Sequence, residues 1–235
     1  MSDTHNIFLP GGFKQFRILK SKYIIADKSV LVIGAGSEKI ALKLAEAGAT
    51  RVSFIVNEYE SLINARLVLS TQSNISVKMM DYENTDFSDN EFDLVYAQAS
   101  ISTTNRNKII KEVKRILKAG GTLCTGEITA ITKEYPPFVG DIFESSEIAP
   151  LLHESCENYF IERKFEMMYS EDLSSSLKNF YETAAQSLKD VIYKLSDKEK
   201  SYYKKLLNKI SHESNAYLKL GADKYIRFKM LILKT

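Results

Sequence analysis

The run Ser29-Val30-Leu31-Val32-Ile33, followed at once by Gly34-Ala35-Gly36, constrains the fold of this chain more than any other feature. Apolar and largely β-branched, with no polar alternate after Ser29, it predicts a strand buried on both faces, the kind that parallel sheets contain. The glycines then permit a tight turn, and residues 37–48 predict a helix. The same alternation repeats downstream. Strands are expected at Val52 to Val56, Ile75 to Met80, Phe92 to Ala97 and Gly121 to Glu127, with helices at Tyr59 to Leu69 and Lys108 to Lys118. Strands alternating with amphipathic helices make right-handed βαβ units, and these build a doubly wound α/β fold.

The flanks are less regular. Phe13, Phe16, Ile18, Leu19, Tyr23 and Ile24 recur at helical spacing behind a Pro10-Gly11-Gly12 turn, which predicts a leading helix. Beyond residue 130, Pro136-Pro137 reads as a loop, Ser145 to Cys156 as a helix and Phe160 to Met168 as a strand. Residues 171–220 read as two or three helices forming a cap or a dimer surface, and Tyr225 to Leu233 as a last strand inserted antiparallel. With no linker or repeat in view, the expectation is one domain over residues 1–235, with its core at 25–130 and a sheet of seven strands.

Composition narrows the function class. The chain has 235 residues, 44% of them apolar, which suits a globular domain rather than a disordered or collagen-like one. A formal charge of +2 announces neither a nucleic-acid nor a membrane-surface protein. Residues 186–235 do carry twelve Lys and Arg against five Asp and Glu, interleaved with Tyr193, Tyr202, Tyr203 and Tyr217. A solvated helical face accounts for that bias more simply than an RNA site. Two cysteines, Cys124 and Cys156, make no disulfide framework, no apolar run could cross a bilayer, and the start has no signal-peptide pattern; the expectation is a cytoplasmic protein without zinc.

In an open α/β sheet, ligands sit outside the carboxyl ends of the strands, where strand order reverses. Gly34 and Gly36 fall there, before a helix N-terminus whose unpaired N–H groups suit an anionic group. A dinucleotide fingerprint would end in a third glycine where this chain has Lys39, so a nicotinamide oxidoreductase is a secondary reading.

Four ordered blocks carry a family resemblance: Val30-Leu31-Val32-Ile33-Gly34-Ala35-Gly36-Ser37, Met80-Asp81, Phe87-Ser88-Asp89-Asn90-Glu91-Phe92-Asp93-Leu94-Val95, and Glu112-Val113-Lys114-Arg115-Ile116-Leu117-Lys118-Ala119-Gly120-Gly121-Thr122-Leu123. Over about residues 25–128 the chain resembles class I S-adenosylmethionine (SAM)-dependent methyltransferases. The resemblance implies that Gly34, Ala35 and Gly36 pass beneath the methionine part of SAM and that Asp81 accepts a hydrogen bond from the adenine amino group. It also implies that Tyr82 walls the ring and that Ala97 and Gln98 line the methionine end and the substrate mouth. The chain departs from the family pattern at Val32, Glu38 and Val56, where the family has an acidic residue, a third glycine and a second acidic residue. Asn57 or Glu58 could take over the ribose hydroxyls, and Glu38 reads most simply as a capping residue. The implied activity is methyl transfer to a small molecule, the alternative being a SAM-binding interaction module without turnover.

Methyl transfer needs alignment and dry surroundings more than a fixed catalytic group. His5, His153 and His212 are scattered; His153 is the strongest of them as a base because it follows the fifth strand. Phe8, Phe13, Tyr135, Phe138 and Phe143 could cage a cationic or flat acceptor, although plain core packing is the simpler account of them.

Overall fold

The computed structural model describes residues 9–70, 72–194, 196 and 204–235. Its centre is a mixed sheet of eight strands: β1 Ser29–Ile33, β2 Arg51–Val56, β3 Ile75–Met79, β4 Phe92–Gln98, β5 Leu117–Ala130, β6 Leu151–Leu152, β7 Glu166–Asp172 and β8 Ile226–Lys234. The spatial order is β3-β2-β1-β4-β5-β8-β7, with β6 paired in parallel to the far end of β5. The β1, β2, β3, β4 and β5 strands pair in parallel, whereas β8 lies antiparallel between β5 and β7. Strand order therefore reverses between β1 and β4, the point where such sheets open a crevice.

Every apolar residue of β1 is buried, as its uninterrupted pattern requires. Val30 and Val32 face one layer, in which Phe16 and Leu19 of α1 (Gly12–Lys22), Ile40 and Leu44 of α2 (Glu38–Glu46) and Leu62 and Ala65 of α3 (Tyr59–Leu69) pack together. Leu31 and Ile33 face the other, formed by Ile109, Val113 and Ile116 of α4 (Arg106–Ile116) and Cys156 and Phe160 of α6 (Cys156–Glu162). Pleating sends alternate side chains to opposite faces, so one short strand serves both cores.

The second half of the chain differs in its bounds from the sequence expectation. The Pro136-Pro137 pair starts a helix: α5 spans Pro137–Ser145, with Pro136 at its N-cap. Proline is preset for a first helical turn, where its missing N–H costs no bond. The helix expected at 145–156 is instead a turn, the two residues of β6 and a short 3₁₀ segment, His153–Ser155. Pro150 disfavours helical geometry at Ala149 before it. Phe160 belongs to α6, and the strand expected from Phe160 begins only at Glu166. The expected cap resolves into α7 (Leu177–Lys194) and α8 (Lys204–Lys219), preceded by the end of β7, with residues 195 and 197–203 outside the described set. Tyr181 of α7 stacks on Tyr217 of α8 at 4.3 Å between ring centres, and both rings are buried in the α1 layer. Tyr217 is thus core rather than a stacking platform, and Tyr202 and Tyr203 lie outside the described residues.

Candidate active site

The carboxyl ends of β1, β2, β3 and β4 surround a cavity of about 350 Å³. Gly34 and Ala35 follow β1, Asn57 follows β2, Asp81, Tyr82 and Glu83 follow β3, and Gln98, Ala99 and Ser100 close β4. Thr103, Thr104, Asn105 and Ile109 add the start of α4, while Leu9, Ser146 and Glu147 complete the rim.

The floor is rigid. Gly34 has φ +109°, its N–H donates to the Ile55 carbonyl at 3.0 Å, and a Cβ on it would collide with the Ser100 side chain. Ser100 in turn donates from Oγ to the Ile33 carbonyl at 2.6 Å. Glycine is therefore required at position 34 by the packing of this chain against itself, whatever lies above it. Glu38 accepts a hydrogen bond from the Gly36 N–H at 3.2 Å, so the residue standing where the family has a third glycine closes the turn with its own carboxylate.

The walls are tied to one another. Gln98 donates from Nε2 to the carbonyls of Pro10 at 2.6 Å and Gly12 at 2.9 Å, and accepts from the Tyr96 hydroxyl at 2.6 Å. Gln15 of α1 donates to the Ala97 carbonyl at 3.2 Å. On the opposite side the buried Glu127 of β5 accepts from Ser102 Oγ at 2.7 Å, Arg106 Nε at 3.2 Å and Thr125 Oγ1 at 3.0 Å. Arg106 also donates to the Ala149 carbonyl at 2.6 Å, and the Ala149 N–H donates to the Ser102 carbonyl at 2.8 Å. This network joins the segment after β4 to the segment after α5, and Thr103 bridges Ile148 across the same seam. The turn after β3 is fixed separately: Glu112 accepts from the N–H of Thr85 at 2.8 Å and from Arg115 at 2.6 Å. Burial opposes ionisation of Glu112, but Arg115 and Thr85 outweigh it and hold its carboxyl below the usual range.

Of the residues named from sequence, Gly34, Ala35, Asn57, Asp81, Tyr82 and Gln98 line the cavity. Gly36, Glu58 and Ala97 do not: Gly36 is engaged by Glu38, Glu58 is exposed at the start of α3, and Ala97 is buried in the sheet. Asp81 is exposed and no described residue bonds its carboxylate, whereas Tyr82 is buried and donates to Asn57 Oδ1 at 3.3 Å. Burial, aided by the nearby Glu58 charge, raises the Tyr82 phenol, which stays neutral at physiological pH. Val32 and Val56 are wholly buried, so neither strand end carries an acid there.

Sequence reasoning missed the Ser100 to Asn105 wall and the Ser146-Glu147 rim. The small polar run after β4 was a legible sign of a strand-end loop; the return of residues 146 and 147 to the cavity had no local sign. Ala99 and Glu147 hold positive φ of 59° and 53°, a conformation that non-glycine residues adopt at a cost and that clusters at functional sites.

The other candidates lie elsewhere. His153 does not line the cavity; its Nδ1 meets Thr129 Oγ1 at 2.9 Å, and burial with Lys229 nearby keeps its ring neutral by lowering its pKa. Phe13, Tyr135, Phe138 and Phe143 pack into the α1 layer, and Phe8 is outside the described residues. Cys124 and Cys156 are buried thiols, Cys124 raised to about 12 by burial, and no group of metal-ligating side chains occurs among the described residues. None of the helices among those residues is long and apolar enough to cross a membrane.

Residues 31–125 match a family model described as a methyltransferase domain. Among curated proteins, none matches the sequence significantly. Solved structures of the same fold include the [4+2]-cyclase SpnF, with TM-score 0.76 and 17% identity over 94% of this chain and 79% of that one. A putative sarcosine dimethylglycine methyltransferase from Galdieria sulphuraria has TM-score 0.74 and 14% identity over 94% and 83% of the two chains. Geranyl diphosphate C-methyltransferase from Streptomyces coelicolor A3(2) has TM-score 0.71 and 13% identity over 94% and 76%. The match to a methyltransferase domain thus spans residues 31–125, from β1 into β5, within an architecture that these solved structures share.

Proposed function

We propose that the cavity at the β1/β4 switch point binds SAM and that the protein, acting as a single domain, moves its methyl group to a small-molecule acceptor. The observation that carries this reading is the exposed Asp81 carboxylate after β3, unbonded by any described residue and lining a cavity whose floor is the Gly34-Ala35 turn. Asp81 would accept from the adenine amino group, the buried Tyr82 would wall the ring, and Asn57 would take the ribose hydroxyls, with Glu58 one residue further out. The cofactor supplies an activated methyl group on a sulfonium, leaving as a neutral thioether when the acceptor's electron pair forms the new bond. The part left to the protein is alignment and exclusion of water. The joined walls, pinned by Gln98 on one side and Glu127 on the other, suit that task because they hold the strand ends at fixed separations.

Titration calorimetry with SAM, S-adenosylhomocysteine and NAD tests the assignment: binding of the first two and not the third is expected. Asp81→Ala should weaken SAM by about 1–3 kcal/mol, the scale for an unmade buried polar contact. An unchanged affinity refutes the adenine placement, and NAD binding in place of SAM refutes the whole. The departures at Val32, Val56 and Glu38 favour a second reading, a SAM-binding module without turnover. Labelled methyl transfer to any acceptor excludes it.

A further inference from the structure

Resting on the SAM reading, we propose that the acceptor is an amine and that Glu147 is the residue that selects it. The charged side chains lining the cavity are Asp81, Glu83 and Glu147, with no Lys, Arg or His among the described residues that line it. Nearby cations are already paired. Arg106 is buried against Glu127 and the Ala149 carbonyl, and Lys108 pairs with Glu83 at 3.0 Å. Asp81 is spoken for by the adenine edge, which leaves Glu147 as an exposed rim carboxylate without a partner among the described residues.

Glu147 is held there firmly. The Ile148 N–H donates to the Phe143 carbonyl at 2.7 Å, and Ile148 also bridges Thr103. On its other side Ser146 donates from Oγ to Glu213 of α8 at 2.7 Å. Between these anchors the Glu147 backbone keeps its positive φ of 53°. Phe13, Tyr135, Phe138 and Phe143, four of the side chains that could have caged a cation, pack into the α1 layer, so among the described residues a carboxylate is what the rim offers to positive charge.

The chemistry agrees with that placement. An ammonium acceptor first gives a proton to water at the open rim; the nitrogen lone pair then forms the N–C bond while the S–C pair returns to sulfur. Positive charge thereby moves from sulfur to nitrogen, and a carboxylate carried beside the nitrogen on an anchored backbone stabilises both the bound ammonium and the charge that develops on attack. A diphosphate or carboxylate acceptor would meet the unpaired carboxylates of Asp81 and Glu147, with the Lys108 charge already paired to Glu83, so the acceptor named for the Streptomyces coelicolor structure is not the expected one.

The experiment measures transfer of labelled methyl from SAM, by the full-length protein, to a panel of primary and secondary alkyl and aryl amines and to their matched alcohols and carboxylates, with geranyl diphosphate added. Turnover confined to amines is expected, with kcat/KM rising toward alkaline pH as the free amine accumulates. With the best amine, Glu147→Gln should raise KM about 10-fold while S-adenosylhomocysteine affinity stays as in the parent, and Glu147→Asp should recover part of the loss. Preferred turnover of an anionic or neutral acceptor, silence across the amines in a protein that binds SAM, or an unchanged KM in Glu147→Gln overturns the proposal. Failure to bind SAM at all refutes the reading beneath it instead.

Discussion

Replacing Glu127 by leucine tests how the cavity walls are held. Glu127 and Arg106 have side-chain exposures of 0% and 6%, so neither charge has water to fall back on. Glu127→Leu leaves the guanidinium buried with the Ala149 carbonyl as its hydrogen-bond partner and the Tyr159 ring beneath it, and deprives the Ser102 and Thr125 hydroxyls of their acceptor. Breaking a buried pair from one side costs about 3–5 kcal/mol. In a domain of this size each kcal/mol lowers Tm by about 2–4 °C, so thermal unfolding should move down by roughly 6–20 °C. Replacing both partners, Arg106→Met with Glu127→Leu, removes the uncompensated charge, and calorimetry should find the double variant more stable than Glu127→Leu alone. Additive losses, or a single variant that melts within about 2 °C of the parent, would refute the claim that the pair is a mutually dependent buried unit.

Gly34→Ala sets a Cβ against Ser100 at φ +109° and should destabilise the fold by about 1–3 kcal/mol in urea unfolding, with only partial relief from Ser100→Gly because the backbone strain remains. Full relief would locate the whole effect in the side-chain clash. Burial opposes ionisation of Asp93, but hydrogen bonds from Lys118 and Ser29 prevail and hold its pKa at about 2 against an ordinary 3.8. A depressed carboxyl pKa adds stability above the unfolded value and loses it as pH falls through the folded one. The parent should therefore weaken between about pH 4 and pH 2, and Asp93→Asn should show a shallower acid transition followed by fluorescence. An unchanged slope would mean that this ion pair contributes nothing measurable.

The parallel half of the fold could be read from sequence because its strands are buried on both faces: Val30 to Ile33 and Leu94 to Ala97 admit no polar alternate, and local composition alone reports that environment. Residues 131–172 could not. Pro137 serves as a helix start as readily as a loop, and β6 is too short to leave a pattern. The site divides the same way. Gly34, Asn57, Asp81 and Gln98 follow strand ends, and strand ends were visible. That Gln98 spends its amide on Pro10 and Gly12, or that Glu147 arrives at the rim through the Thr103–Ile148 bridge, depends on contacts between residues far apart in the chain. Glu38 sits between these cases: it reads from sequence as a capping residue, and the bond it makes is to the Gly36 N–H ahead of the helix, a local contact that spans two residues.

The position of β8 bears on how the molecule is made. It bonds β5 along one edge, from Thr122–Lys234 to Ala130–Ile226, and β7 along the other. A chain emerging from the ribosome can assemble β1 to β5 as they appear, but β7 has no neighbour to join until residues 226–234 are out of the exit tunnel. Synthesis thus leaves the outer edge of β5 unprotected for nearly a hundred residues of translation. Nascent protein stalled before that strand is the species that chaperones should meet.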